Sequence, residues 1–147
     1  HPEYRRQRQM CIRDRRNYKK MQDQLDAVAT FHKAFGMGVA KKPTATLSKD
    51  ILNLRHRLMD EENEEYLEAA NNNDLVEVAD ALGDMLYILC GTILTHGMQH
   101  IIEDVFAEIQ DSNMSKLGLD GKPIFREDGK IMKGPNYRRP DLKQFLD

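Results

Sequence analysis

At 147 residues, 40% of them apolar and 31% charged, the chain has the size and composition of one globular domain able to bury its own core. Its two cysteines, Cys11 and Cys90, form no CxxC pair, which argues against a disulfide framework or a thiolate zinc site and fits a reducing, cytoplasmic setting. No apolar run approaches the length needed to span a bilayer, and the net charge of −2 hides a strong asymmetry along the chain.

Residues 1–20 hold eight Lys/Arg against two Asp/Glu (net +6), residues 21–111 six against seventeen (net −11), and residues 112–147 eight against five (net +3). An acidic body repels a phosphate polyanion unless metal cations intervene, and a basic tail suits a phosphate ligand. Residues 1–16, HPEYRRQRQMCIRDRR, have no periodicity and no apolar stretch of a secretory signal. They read as a non-native or disordered extension, QMCIRDR resembling adaptor read-through, rather than as a nucleic-acid arm; neither a membrane nor a nucleic-acid polymer is an expected partner.

A single domain is expected over residues 17–147. From Tyr18 the spacing of Met21, Leu25, Val28, Ala29, Phe31 and His32 predicts a first helix that Gly36 and Gly38 stop. KKPTATLS leads to Ser48, an N-cap for a long second helix from Ile51 to Ala70; NNND breaks it. A third helix runs from about Leu75 to His96, a fourth from about Met98 to Lys116, and their short connections predict an all-α fold with an antiparallel four-helix bundle-like core. Beyond Leu117, PIFR and KIMK flank Glu127, Asp128 and Gly129, which predicts a C-terminal β-hairpin followed by an irregular tail.

The chemistry-bearing residues lie on the second and third helices. At 100° per residue, Glu62 and Glu65 fall on the apolar stripe of Ile51, Leu54, Leu58 and Ala69, whereas Glu64 and Glu68 project toward solvent and Glu61 lies at the edge. The third helix is apolar almost all round, yet Glu77, Asp80 and Asp84 share one face. Desolvated carboxylates need a cation or must protonate. Asp74 offers a competing account of Glu77, as an N-cap with Glu77 at the capping-box position, but cannot explain Asp80 or Asp84. In an antiparallel hairpin, Glu65 with Glu77 and Glu62 with Asp80 share the midpoint 71, at the edge of NNND, so these four carboxylates should converge. Oxygen donors alone select Mg²⁺ or Mn²⁺ over zinc or copper, and the histidines lack metal spacing.

These stretches resemble the MazG-like all-α nucleoside triphosphate pyrophosphohydrolases over residues 18–147: RHRLMDEENEEYLEAA for a Glu-Glu-x-x-Glu motif, EVADALGDMLYILCGTIL for Glu-x-x-Asp, and DSNMSKLGLDGKPIFREDGKIMKGPNYRRPDL for the tail. The tail is the most specific part and is similar to a HisE/MazG-like, dUTP-hydrolysing subgroup. The resemblance implies that Glu62, Glu65, Glu77 and Asp80 bind Mg²⁺, that Glu61 or Asp84 assists or orients the attacking water, and that Asn113 and Lys116 contact phosphate. It also implies cleavage to a nucleoside monophosphate and pyrophosphate by a homodimer or dimer of dimers. Asp84, Lys133, Asn136, Tyr137 and Arg138 are further candidates for the substrate's surroundings, and Phe31, His32 and Phe35 for base stacking, although aromatics at i and i+4 on an amphipathic helix fit a core better. Phosphoribosyl-ATP is an alternative substrate; a metal- and nucleotide-binding sensor without turnover, or a helical interaction protein, fits the same acids.

Overall fold

The structure is a computed structural model that describes residues 20–146. The odd N-terminal stretch, and the expected helix start at Tyr18, lie outside the described residues. Four α-helices follow in order: α1 Met21–Ala34, α2 Lys49–Asn71, α3 Leu75–Thr95 and α4 Ile102–Met114, with a 3₁₀ turn at Lys143–Phe145. The chain divides into two compact units, one ending at Gln99 and one starting at His100.

In the first unit α3 is the central element, packed against both α1 and α2. Leu25 and Val28 from α1, Ala69 from α2, and Ala81, Cys90, Ile93 and Leu94 from α3 form its buried apolar core. The Ser48 hydroxyl accepts from the Ile51 amide at 3.3 Å and so caps α2 as expected. At the other end of α2, the Asn73 amide donates to the Ala70 carbonyl and the Asp74 amide to the Ala69 carbonyl, a Schellman-type closure. It places Asn73 at φ 54, and Asn is the residue besides glycine that tolerates this left-handed region. Asp74 then caps α3, its carboxylate accepting from the Glu77 amide at 3.1 Å. One short polar run therefore ends a helix and starts its antiparallel partner.

The segment between α1 and α2 is strapped to the C-terminal end of α3. Ala40 donates to the Leu94 carbonyl, Thr44 to the His96 carbonyl, and the Gln99 amide side chain to the Ala40 carbonyl. Gly97, at φ 68, ends α3 directly beneath this strap; a side chain there would collide with the Lys42 carbonyl.

In the second unit the tail folds back on α4. The Ser112 hydroxyl donates to the Arg138 carbonyl at 2.8 Å, the Arg138 amide to the Ser115 hydroxyl at 2.9 Å, and the Arg138 guanidinium pairs with Glu108. Gly134 is buried where its amide meets the Lys116 carbonyl. The expected C-terminal β-hairpin does not form. No strand occurs among the described residues, only an isolated antiparallel bridge between Phe125 and Ile131 around the turn at Gly129. Residues 121–130 are all exposed, so nothing within their unit covers an apolar face, and a lone two-stranded ribbon is marginal in water.

One expectation about α3 also changes. Its most apolar window reaches a mean hydropathy of 1.4 over a helix of 21 residues, long and apolar enough by those measures to cross a membrane. Glu77, Asp80 and Asp84 on that helix, and its packing against α1 and α2, fit a helix at the centre of a folded unit.

Candidate active site

The seam between α2 and α3 sets the site. Arg55 meets Gly91, and Glu62 meets Asp84, so facing residues average 73, the centre of the turn. Glu62, Glu65 and Asp84 each bring a carboxylate oxygen within 4.8 Å of the others. This trio differs from the four acids that a midpoint of 71 would converge. Ending α2 at Asn71 and centring the turn on Asn73 slides α3 by about one helical turn, which brings Asp84 opposite Glu62.

Asp80 stands close enough to act electrostatically on both Glu62 and Asp84. Glu77 lies further along, where it lines a cavity of about 480 Å³ with Glu65, Glu68, Asp74 and Asp80. The Asp74 carboxylate does cap the Glu77 amide, but the Asp74 amide donates to Ala69, so the reciprocal half of a capping box is absent among the described residues. The Glu77 side chain remains available to the cavity. Glu68, read from sequence as a solvated residue, joins that lining. Glu61, at the edge of the stripe beside Glu62, is exposed and pairs at 3.9 Å with Arg57.

The trio is electrostatically expensive. Burial, then Glu65, Asp84 and Asp80, push the Glu62 carboxyl up to about 7, and burial, then Asp80 and Glu65, raise that of Asp84. Glu62 Oε2 is buried with no hydrogen-bond partner among the described residues. Such an orphaned acceptor, beside two further carboxylates and ion-paired with no Lys or Arg among the described residues, has the donor chemistry of a cation site built from oxygen alone.

The three residues expected around a base divide, His32 lining a cavity of the first unit and the two phenylalanines packing outside that lining. Phe31 packs against Phe35 (centroids 4.4 Å) and edge-on against Tyr87 (5.6 Å). His32 is 2% exposed, its Nδ1 donates to the Gly38 carbonyl at 3.2 Å, and it lines a cavity that Arg55 also lines. Asn113, Lys116, Lys133 and Tyr137 belong to the second unit, where the Lys133 ammonium sits 4.7 Å from the Tyr137 ring centroid and Arg138 is committed to Glu108.

The sequence pattern of phosphoribosyl-ATP pyrophosphohydrolases matches residues 28–113, which span α2, α3, every carboxylate of the site, half of α1 and most of α4. The chain belongs to that family. The HisE/MazG-like, all-α pyrophosphohydrolase superfamily read from its motifs therefore holds, and the family is one of nucleotide pyrophosphohydrolases. Among solved structures, the chain is similar to a protein from Exiguobacterium sp. 255-15 described as a candidate NTP pyrophosphohydrolase, at 27% identity over 84% of this chain and 90% of that one. The TM-score of 0.42 is too low for that likeness to bear on the arrangement of the helices. No curated protein matches the chain.

Proposed function

We propose that the chain hydrolyses a nucleoside triphosphate between its α- and β-phosphates in a Mg²⁺-dependent reaction, releasing a nucleoside monophosphate and pyrophosphate. The observation that carries this reading is the meeting of Glu62, Glu65 and Asp84 around the unpartnered Glu62 Oε2. Family membership supports the bond that is broken.

Glu62, Glu65 and Asp84 would hold Mg²⁺, with Mn²⁺ as a substitute, while Asp80 and Glu77 extend the acidic seam for a second ion or for the waters around it. A hard dication there supplies neutralisation of phosphate oxygens and acidification of water. In the reaction the oxygen of water bonds to phosphorus, the bridging bond between the α- and β-phosphates breaks, pyrophosphate leaves with the electron pair, and a carboxylate takes the proton. Glu61 is the proposed base; its exposed, long pairing with Arg57 costs little to break. Asn113, Lys116, Lys133 and Tyr137 are proposed phosphate ligands.

For the substrate, dUTP or another deoxy or non-canonical triphosphate is the leading reading. The match to phosphoribosyl-ATP pyrophosphohydrolases favours phosphoribosyl-ATP as the second, with the same bond cleaved. The active form is proposed to be a homodimer, because Leu75, Leu82, Leu86 and Leu89 form one exposed stripe on α3.

The test is a panel of canonical, deoxy and non-canonical triphosphates together with phosphoribosyl-ATP, assayed with and without Mg²⁺ for monophosphate and pyrophosphate. Pyrophosphate from at least one, lost on chelation, is expected. Saturable nucleotide binding without any product would replace hydrolysis with sensing.

A further inference from the structure

A second cavity in the first unit, about 520 Å³, lies between the α1–α2 segment and the N-terminal half of α2. Its walls include His32, Gly38, Leu47, Ile51, Leu54 and Arg55. Arg55 is the unusual member. It is 4% exposed and has no carboxylate partner among the described residues; Nε donates to the Thr92 hydroxyl at 3.2 Å and Nη2 to the Ile88 carbonyl at 3.1 Å. Nη1 donates to nothing among the described residues, yet it is not sealed in, since the fully buried, unpartnered side-chain atoms are Glu62 Oε2 and Gln99 Oε1. A buried guanidinium without a counter-charge is costly unless something accepts from its remaining N–H groups.

The surroundings fix this group in place. Gly91 of α3 leaves the room it occupies: a Cβ there would stand 2.6 Å from Arg55 Nη2 and 2.8 Å from His32 Nε2. The outer wall is held by the strap on α3 through Ala40 and Thr44. The position is also informative. Arg55 precedes Glu62 by seven residues on the same seam, as Gly91 follows Asp84 by seven, so the guanidinium lies about 10 Å along α2 from the carboxylate cluster. That is the reach of a nucleoside from its 5′-phosphate to its base.

The geometry points to this cavity as the base pocket, with Arg55 selecting bases that present a carbonyl (uracil, hypoxanthine, guanine) over those that present an exocyclic amine (cytosine, adenine). The inference rests on the proposed hydrolysis only for what is done to the nucleotide. A guanidinium has N–H donors and no acceptor, so it completes its hydrogen bonding with a base oxygen and opposes a base N–H. The apolar walls from Leu47, Ile51 and Leu54 suit the faces of a flat heterocycle. Deaminated nucleotides would then be favoured over their amino parents, which carry an amine in place of that carbonyl and no proton on the adjacent ring nitrogen.

The experiment pairs uridine with cytidine and inosine with adenosine. Binding of the plain nucleosides is followed by ligand-observed NMR and, separately, kcat/KM for the corresponding triphosphates is followed by pyrophosphate release. The oxo member of each pair is expected to win by about tenfold or more. Arg55→Met removes the preference, and Ile51→Trp, at a half-exposed wall position, blocks nucleosides while Mg²⁺ still raises the melting temperature. Should Arg55→Met fail to fold, Ile51→Trp alone carries the test of location and the two wild-type pairs carry the test of selectivity. Equal binding within both pairs, an amino preference, no nucleoside binding at all, or nucleoside binding untouched by Ile51→Trp overturns the pocket. An oxo preference in nucleoside binding with no pyrophosphate from any triphosphate overturns the hydrolysis and leaves the pocket standing.

Discussion

Glu62 is the residue whose electrostatics reach furthest. A carboxyl raised from 4.5 to about 7 on folding binds protons more tightly native than unfolded, so its contribution to stability is full below the ordinary Glu range and is lost as pH climbs through about 7. In chelator, the melting temperature should therefore fall between about pH 5 and about pH 8, flatten in Glu62→Gln, and recover in the wild type when Mg²⁺ is added at the upper pH. A pH profile unchanged by Glu62→Gln would remove the strained cluster from the account. Gly91→Ala tests the packing behind Arg55: the new methyl must displace the guanidinium or His32, and a loss of about 1–3 kcal/mol is expected by denaturant titration. At this scale the sequence was legible as to residue type and face. Glu62 and Glu65 were readable from their place on the apolar stripe of α2, and Asp80 and Asp84 from having no bland explanation on α3. What it could not show was which acid of α3 stands opposite which acid of α2, because a shift of two in the midpoint exchanges Asp80 for Asp84 opposite Glu62 at no cost to either helical pattern.

The four helices and Ser48 as a cap were readable because periodicity and capping chemistry act within one element, over a few residues. The turn between α2 and α3 was readable as a break but not as geometry: Asn73 takes the left-handed position that glycine usually fills, and Asp74 serves both the end of one helix and the start of the next. Asp74→Ala should cost about 1 kcal/mol of stability, with Mg²⁺ affinity falling as the α2–α3 register loosens. A variant as stable as the wild type would mean that the cap is satisfied by solvent. The hairpin failed for the opposite reason. Alternation and a Gly turn identify residues that can pair, but strand formation also needs a covered face, and the exposed segment around Gly129 has none within its unit. The folding of the tail onto α4 depends on Ser112, Ser115 and Glu108 meeting Arg138 and Asp141 across about thirty residues, a pairing that local pattern does not encode.

At the level of the whole molecule, α3 presents three kinds of surface: carboxylates along α2, apolar side chains against α1, and an exposed stripe in which Leu75 is 82% and Leu82 50% accessible. The near-continuous apolar character of this helix was plain in the sequence; whether it meant deep burial within one chain or cover from a second was not. A second copy over that stripe is the proposed cover. Sedimentation should show a dimer that Leu82→Glu converts to a monomer; a wild-type monomer at every concentration tested would leave the stripe unexplained. The central claim concerns the bond that is cleaved and the acids that cleave it. Its most direct test is phosphorus NMR of the products formed from a hydrolysed triphosphate, by the wild type, Glu62→Gln and Asp84→Asn at matched Mg²⁺. Monophosphate and pyrophosphate from the wild type, each slowed about a hundredfold or more in both folded variants, is the predicted result. Orthophosphate as the primary product, or undiminished pyrophosphate release from both variants, would contradict it.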